Sequence, residues 1–342
     1  MGKSSCDFKV CKNFWDYYIL KWGFKKKINL ILNTQPDRIF FKVNRNQLTY
    51  NKGLFKVIFN LIREKRLEYY KEKDKMIVYN KTRDIRKESN LDIFALETIK
   101  ELLDNQIKFS DYDNDFFLVE IDKITKFFIR KRFISDWQIL RESFRDNQYS
   151  LIYPYLKDSF VLDIGAYIGD TAVLFCNKGA RKVYAYEPHP LFFEVCKKNI
   201  DLNNLNNSIE VFNFGVGDKE GIVEIKEDSF YGPGGTFGYK QTNQAKTISL
   251  RIVSFFKLIE NMERIDILKM DCEGAEFPAI FSCPTETLKK IKIILIEYHK
   301  DPAPLIEHLN NSGFKVKIEN WTRSAFSITG ILFAINSNHY NF

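Results

Sequence analysis

The sequence predicts an α/β fold: a doubly wound, mostly parallel seven-stranded sheet that closes on an antiparallel hairpin, preceded by a mixed α+β accessory region. From Phe160 onward, apolar runs of strand length alternate with helix-like segments, an order typical of a parallel sheet. The last two strand-like runs, Phe314–Glu319 and Gly330–Asn336, have no helix between them. Because strands joined without a crossover helix pair antiparallel, these two are expected to form the closing hairpin.

The elements of this region follow one another in a regular order. Strands are predicted at Phe160–Ile164, Lys182–Tyr186, Ile209–Val216, Ile222–Lys226, Thr247–Arg251, Ile265–Met270 and Ile291–Tyr298. Helices are predicted at Thr171–Asn177, Pro190–Leu202, Ser254–Asn261, Ala275–Phe281 and Ala303–Asn311. Proline favours a helix start and glycine the position just past its end, as at Pro190 and Gly313.

Residues 1–150 have a different pattern from residues 151–342. Strand-like and helix-like runs are mixed there, without a glycine-rich turn, an acid pair or a ligand cluster. We therefore predict two regions: an accessory α+β region over 1–150, whose role the sequence does not define, and a doubly wound domain over 151–342.

Composition and charge limit the function classes. The chain has 342 residues, of which 45% are hydrophobic, and carries a net charge of +8. No apolar run approaches the roughly 20 residues that span a bilayer, and the first residues lack an apolar signal core, so a cytoplasmic protein is expected. Basic clusters in the first half are either solvated surface or a patch for an anionic partner such as RNA. They lie at Lys25–Lys27, Arg63–Arg66 and Arg130–Arg132.

The six cysteines give no sign of a metal centre. They form no Cys-x-x-Cys pair and no zinc-like spacing with the four histidines. We expect free thiols and no structural metal.

The segment Val161–Asp170 predicts a nucleoside cofactor site. Asp163 ends an apolar strand, and Gly165 and Gly169 then break the backbone before a helix. Glycines let the backbone approach a ligand, and the helix start offers free N–H groups. The pattern alone fits either a dinucleotide or S-adenosylmethionine. Asp163 favours the second, because a carboxylate repels pyrophosphate and attracts the cationic methionine portion.

Residues after the next two strands complete this site. Glu187 follows the second strand, where a carboxylate can accept hydrogen bonds from both ribose hydroxyls. Asp218 is placed to receive the adenine amino group or to serve as a plain turn residue. The predicted cofactor-binding residues are Asp163, Gly165, Ala166, Tyr167, Gly169, Asp170, Glu187, Pro188, Val216, Gly217 and Asp218.

The fourth and fifth parallel strands deliver acids and a histidine to the same edge. Asp271 and Glu273 follow Ile265–Met270, and Glu297 and His299 follow an apolar run. Ligands of open parallel sheets bind at this edge, so all four are candidate catalytic residues. His299 has the ordinary pKa best suited to accept a proton near neutral pH, and it could equally be a substrate ligand.

Glu276 is different, because it fits the N-terminus of the next helix. The sheet pattern adds a further indication, since a parallel sheet that closes on an antiparallel hairpin is typical of class I S-adenosylmethionine methyltransferases. Methyl transfer to a hydroxyl needs a carboxylate, an imidazole or a divalent metal near the methyl group, and the four candidates could serve as base or as metal ligands.

Five ordered blocks resemble the FkbM family of methyltransferases. They are VLDIGAYIGDTAVLF, KVYAYEPHPLFFEVCKKNIDLNN, FNFGVGDKEGIVEI, LKMDCEGAEFPAI and IILIEYH, within Phe160–Ile335. The resemblance implies S-adenosylmethionine dependence and O-methylation, often of sugar hydroxyls. It also implies cofactor contacts by Asp163, Gly165, Gly169 and Glu187. One departure is Tyr167, where the family usually has Asn.

The expected acceptor is therefore a small-molecule, glycan or glycolipid hydroxyl. The alternative is an RNA methyltransferase that uses the basic first half of the chain. The oligomeric state is not predicted.

Overall fold

The structure, a computed structural model, describes residues 105–131, 133–226, 247–323 and 328–339, residues 98, 101 and 102, and the backbone of short strands between 27 and 91. The chain divides into two compact units, Met1–Gln138 and Ile139–Phe342. The division falls before the predicted boundary at residue 150. The residues from Ile139 to Ser150 therefore go with the second unit.

The first unit contains short strands in its described part. They form a sheet of order β3-β1-β2-β6, a hairpin β4-β5 and a meander β7-β8-β9. Their bounds are β1 (Lys27–Asn33), β2 (Arg38–Asn44), β3 (Leu67–Glu68), β4 (Tyr70–Glu72), β5 (Lys75–Ile77), β6 (Glu88–Leu91), β7 (Lys108–Asp111), β8 (Phe116–Glu120) and β9 (Lys126–Arg130).

Two residues of the third basic cluster are buried inside this unit. The guanidinium of Arg130 pairs with the carboxylate of Asp136 at 2.5 Å, and the side chain of Lys131 pairs with Asp111. Both cations are less than 5% exposed. These charges are therefore used within the protein and are not offered to an anionic partner. Outside the part whose side chains are described lie Arg132, Lys25–Lys27 and Arg63–Arg66.

The second unit begins within helix α1 (Ile134–Phe144) and continues through a 3-10 helix, Ser150–Tyr155. Its strands are β10 (Phe160–Ile164), β11 (Lys182–Tyr186), β12 (Ile209–Phe212), β13 (Gly215–Gly217), β14 (Gly221–Lys226), β15 (Thr247–Ser254), β16 (Ile265–Met270), β17 (Ile291–Tyr298), β18 (Phe314–Arg323) and β19 (Ile328–Asn336). Its further helices are α2 (Asp170–Asn177), α3 (Pro190–Leu202), α4 (Phe255–Glu260), α5 (Glu276–Phe281), α6 (Thr285–Leu288) and α7 (Ala303–Asn311).

The main sheet has seven strands in the order β12-β11-β10-β16-β17-β19-β18. The first five pair in parallel, whereas β19 runs antiparallel to both β17 and β18. Strand β16 is buried along its whole length, as expected for a central strand covered on both faces. The predicted fold class, with its closing antiparallel hairpin, is confirmed.

One predicted strand is divided. The sequence predicts Ile209–Val216 as a single strand, but β12 ends at Phe212, and β13 joins a separate three-stranded sheet with β15 and β14. The break lies at Asn213, whose side-chain amide donates to the carbonyl oxygens of Glu187 and Pro188 at 3.0 and 3.1 Å. The apolar pattern does not reveal this tie, because it depends on a residue of another strand.

The parallel strands bring the predicted site residues to one edge. Strands β10, β11, β16 and β17 are neighbours, and their carboxyl ends carry the glycine turn, Glu187, Asp271 and Glu297. Among the described residues, no helix has the length and apolar character needed to cross a membrane. Four of the six cysteines are described and are free thiols.

Candidate active site

The turn after β10 has a backbone conformation that requires its two glycines. Gly165 has φ +83°, and a Cβ placed there would lie 1.8 Å from the carbonyl oxygen of Asp271. Gly169 has φ +84° and precedes helix α2 directly. Only glycine fits the close approach between the turn and the end of β16. The turn therefore lies directly against Asp271, one of the candidate catalytic residues.

Tyr167 has an unusual backbone conformation for its residue type. Its φ is +46°, in the left-handed region that asparagine tolerates and most other residues avoid. This explains the asparagine expected at this position from the family pattern. The ring packs edge-on against Phe192 at 4.7 Å, and the backbone N–H donates to Glu187 at 3.0 Å. Tyr167 thus retains the fold of the turn and adds an aromatic contact.

Asp163 is fully buried and held by the protein itself. Thr171 donates its hydroxyl to one carboxylate oxygen at 2.6 Å, and the Lys269 ammonium lies 3.2 Å from the other. Burial raises the pKa of Asp163, while Lys269 and Thr171 oppose this shift. Its charge is balanced internally. The predicted attraction of a cationic cofactor is thus less important than the fixing of the turn.

Glu187 is buried at the tip of β11. Its two oxygens accept backbone N–H groups of Tyr167 and His189 at 3.0 and 2.8 Å. Each carboxylate oxygen has two lone pairs, so an oxygen that accepts a backbone N–H can also accept a hydroxyl group. The two backbone N–H groups fix the orientation of the Glu187 carboxylate. The donor and acceptor set therefore fits the nucleoside part of S-adenosylmethionine.

The other predicted cofactor residues occupy different environments. The backbone N–H of Ala166 donates to Tyr186 at 3.0 Å, which ties the turn to β11. Asp170 is buried, accepts a hydrogen bond from Ser143 at 2.5 Å, and has a pKa that burial raises to about 7. Pro188 is half-buried, Val216 and Gly217 of β13 are buried, and Asp218 is exposed.

Lys269 joins the cofactor turn to the reaction residues. Its buried ammonium donates to the carbonyl oxygen of Gly165 at 2.8 Å and lies 4.0 Å from a carboxylate oxygen of Asp271. Burial alone would lower the pKa of Lys269, but Asp163 and Asp271 raise it. Sequence reasoning missed this residue. The available signal was a lysine between the apolar residues Leu268 and Met270 of a central strand, which indicates a buried ion pair.

Asp271 follows β16, and its backbone N–H donates to Ile164 at 3.0 Å. Although burial acts in the opposite direction, Lys269 and His299 lower the pKa of its carboxyl group. Asp271 is therefore an ionised carboxylate at neutral pH. It lies where the strand that carries the glycine turn meets the next strand of the sheet.

His299 lies between two carboxylates. Its Nε2 atom is 4.0 Å from Asp271 and 3.8 Å from Glu273. Asp271 is the main cause that raises the pKa of His299 to about 9. A protonated imidazole cannot accept a proton, so the base role considered for His299 is not favoured. Its charge instead stabilises the Asp271 carboxylate.

Glu297 differs from Asp271 in protonation. Burial and the neighbouring Asp271 charge raise its pKa to about 8, so it carries a proton at neutral pH. One of its oxygens accepts a hydrogen bond from the side-chain amide of Gln148 at 2.8 Å. Glu142, whose pKa is raised by burial and by Asp271, is a further acid near this group. The edge thus combines an ionised acid with a neutral one.

Asp271, Glu273 and His299 also satisfy the spacing of a small cation site, with one ligand atom of each within 4.8 Å of the others. A divalent metal on Nε2 of His299 and a proton on that atom are alternative ways to compensate the two carboxylates.

Glu276 has a local structural role, as predicted for a residue at a helix N-terminus. Its carboxylate accepts the backbone N–H groups of Cys272 and Gly274 at 2.7 and 2.9 Å. It thus shapes the loop that carries Glu273, which has φ +56°.

Comparisons with known proteins find similarity to methyltransferases. The family model described as "Methyltransferase FkbM domain" matches residues 163–316. "Methyltransferase 1" of Beauveria bassiana (strain ARSEF 2860) is 26% identical over 208 residues, which cover 53% of this chain and 82% of that protein. "Methyltransferase sdnD" of Sordaria araneosa is 24% identical over 247 residues, which cover 62% of this chain and 94% of that protein.

Among solved structures, a magnesium protoporphyrin IX methyltransferase from Synechocystis PCC 6803 with bound SAM is similar at 13% identity and a TM-score of 0.36. The likeness covers 60% of this chain and 83% of that one. The strand order given above, rather than this partial overlap, defines the fold.

A parallel sheet with an antiparallel closing hairpin, a glycine turn after its first strand and an acid after its second defines an S-adenosylmethionine-dependent methyltransferase. Within that class, residues 163–316 match the FkbM methyltransferase domain.

Proposed function

We propose that this enzyme methylates a hydroxyl group of an uncharged, sugar-type acceptor. The observation that carries the proposal is the position of Asp271. Its carboxylate is held ionised between Lys269 and His299, and its backbone lies against the cofactor turn at Gly165. A hydroxyl beside this carboxylate would lose its proton next to the site of methyl transfer.

The proposed cofactor site uses the residues expected from the sequence. Glu187 would accept the ribose hydroxyls, and the turn from Gly165 to Gly169 would approach the methionine part through its backbone. Val216 and Gly217 would border the adenine. Buried Asp163 would act by fixing the turn through Thr171 and Lys269.

S-adenosylmethionine supplies an electrophilic methyl group on a positively charged sulfur. The acceptor oxygen would take this methyl group from the sulfur, and its hydroxyl proton would pass to the Asp271 carboxylate. Because an oxygen that gains a methyl group becomes strongly acidic, even a weakly basic carboxylate can take its proton. The enzyme's main task is therefore alignment.

The charges around Asp271 favour a neutral acceptor over RNA. Carboxyl groups of Glu142, Glu273 and Glu297 surround it. The two described cations of this cluster, Lys269 and His299, are engaged with Asp271 and are therefore not offered to a phosphodiester. The buried ion pairs of Arg130 and Lys131 also remove part of the motivation for an RNA substrate.

The test is an acceptor screen with radiolabelled S-adenosylmethionine. We would offer a panel of methyl glycosides and short oligosaccharides beside total RNA, and locate the added methyl group by mass spectrometry. The proposal expects label on a glycoside oxygen. Label on RNA alone, or on nitrogen or carbon of another acceptor, would overturn it.

A further inference from the structure

The segment Ser143–Tyr149 lies upstream of the FkbM domain but is attached to its active site. Ser143 donates to Asp170 at 2.5 Å, and both side chains are buried. Tyr149 is buried and packs edge-on against Phe175 at 6.0 Å. Both anchors fall on α2, the helix that starts at the cofactor turn. The segment therefore has a fixed position relative to the turn.

Between these anchors, one side chain reaches a reaction residue. The amide of Gln148 donates to Oε2 of Glu297 at 2.8 Å. Glu297 lies close enough to Asp271 for the two groups to affect each other. A donor on Oε2 leaves Oε1 as the oxygen that carries the carboxyl proton. Gln148 thereby determines that Oε1 of Glu297 is the oxygen that donates a hydrogen bond.

We propose that Gln148 is a positioning residue for the transfer, which orients Glu297 beside Asp271 and makes Ser143–Tyr149 part of the acceptor side of the site. The proposal rests on the proposed function, because it assumes that Asp271 receives the acceptor's proton. It extends the active site beyond residues 163–316, to a residue that lies 149 positions from its partner in the sequence.

A double-mutant cycle tests this role, with the best glycoside from the acceptor screen as substrate. Gln148→Leu is expected to lower kcat about tenfold, the worth of one hydrogen bond to a buried polar group, with little change in affinity for S-adenosylmethionine. In a Glu297→Leu background, which has no acceptor for the Gln148 amide, the same change is expected to have no further effect, because Gln148 acts through Glu297. The matched control is Gln138→Leu at a half-buried position of α1.

Equal losses of kcat in both backgrounds would show a merely structural role, and no loss in either would also overturn the proposal. If no glycoside is methylated, an NMR measurement that needs no acceptor tests the contact between Gln148 and Glu297. The side-chain amide resonance of Gln148 is expected to move with pH in the wild type and to stay still in Glu297→Gln. An amide signal that is insensitive to pH in both proteins would contradict the contact. Failure of the screen alone bears only on the acceptor class.

Discussion

The cofactor turn, Gly165–Gly169 with Asp163 and Glu187, is adjacent to the reaction edge, which comprises Asp271, Glu273, Glu297 and His299. The charged groups of the two regions differ in how they are compensated. At the turn, the carboxylates of Asp163 and Glu187 are buried and already receive hydrogen bonds from the protein. At the edge, Glu297 and His299 have pKa values raised to about 8 and about 9, so their protons lie within reach of ordinary pH. The hydrogen bonds at the turn hold its carboxylates in fixed orientations, whereas the raised pKa values at the edge suit groups that take part in proton transfer.

Lys269 is the one described side chain with charge contacts in both regions. Its removal should therefore disturb both regions and have the largest effect of the substitutions proposed below. Lys269→Met leaves the buried carboxylate of Asp163 without a cation and leaves Asp271 with His299 alone. We expect a loss of about 3–5 kcal/mol in the free energy of unfolding. Denaturant unfolding measures it. The control is Lys292→Met, since Lys292 is half-buried on β17 and pairs with Asp266 away from both regions. Equal stability of the two variants would refute the central role of Lys269.

The second substitution tests whether the turn serves cofactor binding independently of catalysis at the edge. Glu187→Gln should weaken S-adenosylmethionine binding by about 10- to 100-fold, because one charged acceptor for the ribose is lost. The kcat at saturating cofactor should change little. Calorimetric titration measures the affinity, and Glu210→Gln on the neighbouring strand is the control, since Glu210 is exposed. Unchanged binding in Glu187→Gln would remove Glu187 from the cofactor site.

Above pH 8 the edge should respond to pH and the turn should not, because Asp170 has already lost its proton near pH 7. His299 has a folded-state pKa raised to about 9, so its positive charge is complete below its ordinary pKa and is lost as the pH rises through 9. Glu297 loses its proton near pH 8. We expect kcat to fall across this range, by about tenfold, while cofactor affinity stays constant. A profile that His299→Gln leaves unchanged would count against this account.

The smallest expected effect concerns metal ions. If a proton rather than a cation occupies His299 Nε2, chelation should leave activity unchanged. Dialysis against a chelator, with magnesium or manganese restored afterwards, measures this. Activity that is lost and then recovered with the metal would assign Asp271, Glu273 and His299 as its ligands.

Much of this architecture could be predicted because its causes are local. The glycine turn, the apolar strand β16 and the helix that Pro190 begins all depend on residues within one element. The sequence also indicated that Asp271, Glu297 and His299 share an edge, because parallel strands end together.

The missed features depend on contacts between distant residues. Lys269 and Gln148 became visible only when their partners across the sheet were known. The division of Ile209–Val216 has the same origin, since Asn213 bonds to the end of β11. The proton on His299 was also hidden, because it depends on two carboxylates from another strand end.

The most direct test of the central claim compares binding and transfer in Asp271→Asn. The substitution preserves shape and removes the proton acceptor, so methyl transfer should fall by about 10²–10⁴-fold. Calorimetric affinity for S-adenosylmethionine should stay within about threefold of the wild type, since Glu187 and the turn are unaltered. Full transfer activity in Asp271→Asn would contradict the account.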